Sequence, residues 1–137
     1  MKSIPSQCFL GEGPLWIAES GCFFWVDIEK GNLHRYHLAT EQLEIRHFSN
    51  RLAVVLEGQN GKLILGLDRK LVRYDWETEE IEELCQVEEN LTLNRFNDGK
   101  VDLQGRIWIG TLSTLFTEGA GSLYRIGTDL KPQIQLQ

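Results

Sequence analysis

The sequence predicts an all-β chain organised as a partial β-propeller of about three four-stranded blades, a single domain over residues 1–137. Three observations predict it. Short runs rich in Val, Ile, Leu, Phe, Trp and Tyr are punctuated by Gly, Asn, Asp and Ser, the pattern of strands and turns. No window holds clean helical spacing with caps over a helix-length stretch. The strand runs also recur in fixed order, led by the turn glycines Gly21, Gly61 and Gly105, which are 40 and 44 residues apart. Four antiparallel strands repeated every ~40–45 residues is the signature of a propeller blade.

Each blade follows the same plan. An apolar run precedes the glycine: Pro14–Ile17, Leu52–Leu56 and Gly99–Asp102. The glycine opens a second strand: Gly21–Asp27, Gly61–Leu67 and Gly105–Thr111. A third strand carries leucine, any residue, then arginine, at Leu33–Arg35, Leu71–Arg73 and Leu123–Arg125. An outer strand closes the unit at Leu43–Phe48, Ile81–Val87 and Pro132–Leu136. Blade 1 therefore covers about 10–48, blade 2 about 50–88 and blade 3 about 95–137. In the third blade the step from glycine to L-x-R widens to 18 residues, against 12 and 10, which places a longer loop at about Ser113–Ala120. Loops of that kind often cover sites.

Composition sets outer bounds. The chain has 14 basic and 20 acidic residues, net −6, which gives no electrostatic support to a nucleic-acid or anionic-membrane partner. No stretch approaches the ~20 apolar residues of a spanning helix. Met1–Leu10 lacks the apolar centre of a signal peptide, so the expectation is a soluble cytoplasmic protein. The run from Glu77 to Glu89 holds seven glutamates and reads as a solvated outermost strand whose charges oppose edge-to-edge pairing. Cys8, Cys22 and Cys85 are widely spaced, form no C-x-x-C pair, have no histidine nearby in sequence and read as small apolar fillers. His34, His37 and His47 read as surface or half-buried strand residues without metal spacing.

Conventional catalytic signatures are absent: there is no G-x-S-x-G, H-E-x-x-H, P-loop or dinucleotide fingerprint. Two segments stand out where innermost strands begin, Leu10–Trp16 (L-G-E-G-P-L-W) and Asn94–Asp102 (N-R-F-N-D-G-K-V-D). Inner strands line a propeller's central channel, so residues at their starts share an axial pocket. Taken singly, Gly-Glu-Gly-Pro and Asn-Asp-Gly are common turns.

Together with Phe24–Asp27 (F-W-V-D) and the extension of the second segment to Thr111 (G-R-x-W-x-G-T), these motifs resemble the SMP-30/gluconolactonase/LRE-like family, which includes regucalcin. The resemblance implies a six-bladed propeller with one divalent cation (Ca, Mg, Mn or Zn) in its channel, and hydrolysis of sugar lactones. It implies Glu12 as a metal ligand, and Arg95 and Asn97 as substrate-contacting residues, Asn97 also facing the water near the metal. Asp98 and Gly99 are read as shaping the turn that presents Asn97. No catalytic base is assigned. The family's Ser-Asn-Gly and Pro-Asp-Gly motifs, which supply two further ligands and the base, do not occur in this sequence.

Three blades cannot close a ring, since propellers typically use four to eight. Either a missing C-terminal half or a second copy in a twofold arrangement would complete it, with truncation ranked first. The functional expectation is a metal-dependent sugar-lactone hydrolase whose N-terminal half carries part of the site. The alternatives are a catalytically incomplete scaffold and a regucalcin-like calcium-binding protein.

Overall fold

A computed structural model describes residues 3–137; Met1 and Lys2, part of the N-terminal segment considered above, lie outside it. Its twelve strands form three separate four-stranded antiparallel sheets, each in simple chain order. The first sheet holds β1 (Gly11–Ile17), β2 (Cys22–Asp27), β3 (Asn32–His37) and β4 (Gln42–His47). The second holds β5 (Leu52–Glu57), β6 (Leu63–Leu67), β7 (Lys70–Tyr74) and β8 (Ile81–Gln86). The third holds β9 (Asn94–Val101), β10 (Ile107–Ser113), β11 (Leu123–Ile126) and β12 (Pro132–Leu136). The second sheet lies between the other two: β5 packs on β1, β2 and β3 on one side and on β9 on the other. This is propeller architecture, and among the described residues no helix is long and apolar enough to cross a membrane.

The repeat has a physical explanation in each of its parts. Gly21, Gly61 and Gly105 all hold positive φ (63°, 73° and 75°), which a tight reversal into the second strand demands and glycine adopts without steric cost. The L-x-R arginines sit opposite polar partners on the outer strand. Arg35 Nε donates to Glu44 at 2.9 Å, Arg73 Nη1 to Glu82 at 2.6 Å, and Arg125 to Gln133, each pair in direct cross-strand register. Leu33 and Leu71 of the same motif are fully buried.

The core runs between the sheets as one cluster, with Val26, Leu33, Leu52, Leu65, Leu71, Phe96, Ile109 and Ile126 shielded from solvent. The strands facing it read as continuous apolar runs in β5 and β6, because the middle sheet is covered on both faces. Trp76, just after β7, locks the first sheet to the second. Its ring lies between the guanidinium groups of Arg35 (4.3 Å) and Arg46 (4.8 Å), while Glu77 and Glu79 reach across to the same two arginines. The acidic run thus forms an outer edge strand, β8, whose glutamates are largely paired with cations.

Three expectations need correction. The innermost strand of the third sheet spans Asn94–Val101, not Gly99–Asp102, so Asn97-Asp98-Gly99 lies inside a strand and is not a turn. His34 is neither at the surface nor half-buried but fully buried: it stacks on Trp25 with ring centroids 5.0 Å apart and planes 4° from parallel. Cys8 does have a histidine neighbour, its Sγ lying 4.0 Å from His34 Nε2, because the N-terminal segment folds back over β3. Sequence distance concealed that contact.

Candidate functional site

The innermost strands share a feature that local sequence does not announce. Each of β1, β5 and β9 carries one residue more than its partner strand, at Gly13-Pro14, Ala53 and Asn97-Asp98. Such a bulge bends the strand and re-aims the side chains beside it. Pro14 is tolerated because the ladder is interrupted there, and Gly13 supplies φ +59°. In β9 the bulge sits opposite Gly110, and Asp98 Oδ1 accepts from the Gly99 N–H at 2.8 Å, which ties the extra residue down locally. A side chain at Gly99 would be crowded: a Cβ there would lie 3.1 Å from both the Trp108 carbonyl oxygen and Ile109 Cγ1.

The two bulges bring distant segments together. Glu12, Gly13 and Pro14 of β1 and Asn97, Asp98 and Lys100 of β9 line one cavity of about 230 Å³. Glu12, Asn97 and Asp98 are exposed to it, and Lys100 Nζ lies 3.9 Å from Asp98 Oδ1. The cavity therefore offers carboxylates, an amide and one ammonium group. Gly13, Pro14, Asp98 and Lys100 were not singled out as lining residues by sequence; the signal for them was turn-type dipeptides inside strand patterns.

Arg95 does not line the cavity. Its side chain is 8% exposed and lies behind Asn97, with Nη1 donating to the Phe96 carbonyl at 2.8 Å and to Asn97 Oδ1 at 3.3 Å. Burial pushes the guanidinium pKa below its ordinary value, and Glu29, 3.7 Å from Nε, opposes that fall. Glu29 stands on the turn between β2 and β3, and sequence reasoning did not find it because it belongs to no motif.

The second half of the long motif is hairpin chemistry. Asp102 accepts from Trp108 Nε1 (2.8 Å), Arg106 Nε (2.7 Å), and the backbone N–H groups of Gln104 (2.9 Å) and Arg106 (3.0 Å). Desolvation works to raise the Asp102 pKa, but these donors outweigh it and hold the carboxyl well below the usual carboxylate range. D-x-x-G-R-x-W thus fixes the β9–β10 reversal that presents Asn97. The 114–122 loop does not line the cavity; it ties to the approach to β9, through Thr114 N to the Leu93 carbonyl (2.8 Å) and Asn94 Nδ2 to the Ala120 carbonyl (2.6 Å).

Asn97 Oδ1 already accepts from Arg95, so the carboxylate oxygens of Glu12 are the hard donors that fit a cation such as Ca²⁺ or Mg²⁺. Their number covers one arc of its coordination sphere. Among the described residues no three His, Cys, Asp or Glu side chains converge as a metal cage.

Comparison with known proteins places this geometry. The SMP-30/Gluconolactonase/LRE-like region model matches residues 10–137. The chain is 32% identical over 128 residues to the pentonolactonase XacC of Haloferax volcanii, covering 93% of this chain and 42% of that protein. It is 29% identical over 140 residues to regucalcin of Xenopus laevis, covering 94% of this chain and 47% of that one. The solved structure of a calcium-binding protein, regucalcin, from Agrobacterium tumefaciens superposes with a TM-score of 0.89 at 29% identity, over 94% of this chain and 43% of that chain. The chain thus spans less than half the length of these relatives. With residues 10–137 of the chain matched by the family model and three antiparallel sheets arranged as in these propellers, the chain belongs to the SMP-30/gluconolactonase/LRE-like family.

Proposed function

We propose that the chain contributes the first- and third-blade side of a sugar-lactone hydrolase site that works with a divalent cation. The observation that carries the reading is the shared cavity of Glu12 and Asn97, which lie 85 positions apart in sequence and stand at the bulges of β1 and β9. Relatives named as a lactonase and as regucalcin support the same class.

Within it, Glu12 would hold the cation, with Asn97 beside it. A bound divalent cation polarises a lactone carbonyl and lowers the pKa of water. Asn97 Nδ2 can donate to a ring hydroxyl or carbonyl oxygen. Lys100 supplies a positive charge at the same wall, suited to the carboxylate released when a lactone ring opens. The remaining ligands and the proton acceptor would come from outside the described residues, from further blades or a second copy. A sugar lactone is the partner of this reading, and nucleic acid and membrane are not.

The test is hydrolysis of D-glucono-1,5-lactone with Ca²⁺, Mg²⁺, Mn²⁺ or Zn²⁺ added in turn, in wild type and Glu12→Ala. Cation-dependent turnover abolished by the substitution upholds the reading. A second reading, cation binding without turnover, is favoured by the single carboxylate that Glu12 offers beside an amide. It predicts a cation-dependent rise in melting temperature that Glu12→Ala removes, with no lactone consumed. Neither turnover nor a thermal shift would leave only a scaffold role.

A further inference from the structure

We infer that Glu29 is a positioning residue for the cavity, acting through Arg95 to fix which face of the Asn97 amide meets the ligand; the inference rests on the lactone-site reading and extends it. Glu29 belongs to the first sheet and Arg95 to the third, so their approach spans the middle blade. Glu29 Oε2 accepts from Arg51 Nε at 2.9 Å, which anchors the carboxylate from the second sheet. Its other oxygen, Oε1, lies 3.7 Å from Arg95 Nε, a buried N–H with no hydrogen-bond partner among the described residues. Glu29 is therefore the acceptor-bearing charge that this orphaned donor faces.

The consequence falls on Asn97. A guanidinium is donor-only, so Arg95 Nη1 can pair with the amide oxygen and not with the amide nitrogen. The 3.3 Å contact between Nη1 and Oδ1 selects one amide orientation, and Nδ2 has no protein acceptor among the described residues. Asn97 is thereby presented as a hydrogen-bond donor. Its ligand partner is an oxygen acceptor, a hydroxyl or carbonyl of a polyhydroxylated ring. Without Glu29, Arg95 is free to turn toward Asp68, the other acid acting on it, and the amide loses the contact that orients it.

The experiment combines side-chain NMR with kinetics on the full chain. In ¹⁵N-labelled wild type, Glu29→Gln and Glu29→Asp, the Arg95 Nε–Hε and Asn97 Nδ2 signals are followed beside the backbone amide spectrum. The expected result is that Glu29→Gln moves both side-chain signals while distant amides stay in place, and Glu29→Asp moves them less. With D-glucono-1,5-lactone, Glu29→Gln raises KM about tenfold at nearly constant kcat, the mark of lost ligand positioning. Arg95→Lys, which keeps the charge and loses the fork, gives the same KM change. Unmoved Arg95 and Asn97 signals in Glu29→Gln, or an unchanged KM in an active protein, overturn the inference. A wild-type chain that turns over no lactone rejects the proposed function instead, and the NMR comparison still decides the role of Glu29.

Discussion

Removing the Glu88 carboxylate should loosen the joint between the second and third sheets, and the structure sets the size of the effect. Glu88 Oε1 accepts from Thr111 Oγ1 at 2.8 Å and from Tyr124 Oη at 3.2 Å, and Oε2 accepts from Asn94 Nδ2 at 2.9 Å. Hydrogen bonds to a charged group contribute about 1.5–3 kcal/mol each when lost singly. The three do not add. Asn94 Nδ2 keeps the Ala120 carbonyl at 2.6 Å, and Thr111 Oγ1 keeps that of Ser122 at 3.4 Å. Tyr124 likewise keeps the Ser122 side chain as a partner, so Glu88→Ala should cost about 2 kcal/mol, the worth of one such bond rather than three. For a domain of this size that is a fall of about 6–8 °C in melting temperature. Glu88 also holds φ +49°, and alanine leaves that backbone cost unchanged, so the comparison isolates the carboxylate. Urea unfolding of wild type, Glu88→Ala, Tyr124→Phe and the double variant closes a cycle, with an expected coupling of about 1 kcal/mol. A Glu88→Ala midpoint within about 0.5 kcal/mol of wild type would refute the reasoning, because surface substitutions alone do that much.

Gly99→Ala should destabilise the chain by about 1–3 kcal/mol, since its Cβ meets the Trp108 carbonyl and Ile109 rather than a movable side-chain tip; a thermal melt checks it. Burial pushes the Cys85 thiol up to about 11, so it should resist iodoacetamide at pH 8 in the native state and react after unfolding. The unfolded thiol ionises first, so this group's share of stability is full below its unfolded pKa and is lost as pH rises toward about 11; Cys85→Ala should flatten that decline. Burial lowers the His34 pKa, so the unfolded state takes up the proton first as pH falls. Its contribution is present above the unfolded value near 6.5 and fades below it, and His34→Phe should remove that slope from a pH series of urea midpoints.

Much of the architecture was legible because blade chemistry is local. A positive-φ glycine, an alternating strand and a cross-strand arginine pair are each specified within a few residues, and the repeat exposes them three times over. The outer strands fell where apolar alternation placed them for the same reason. The start of β9 did not: Asn-Asp-Gly has the composition of a turn, yet pairing with β10 holds it extended and converts the surplus residue into a bulge.

What the sequence determined by itself is the set of repeated strands, their order, and the two motifs that carry chemistry, since hydrophobic period and turn residues act over short range. Tertiary structure alone decided how those motifs meet. The bulges aim Glu12 and Asn97 into one cavity, while Arg95 turns inward behind Asn97 toward a glutamate on another sheet. A side chain's direction at an irregular strand position follows from packing between sheets, and no short window of residues encodes that packing.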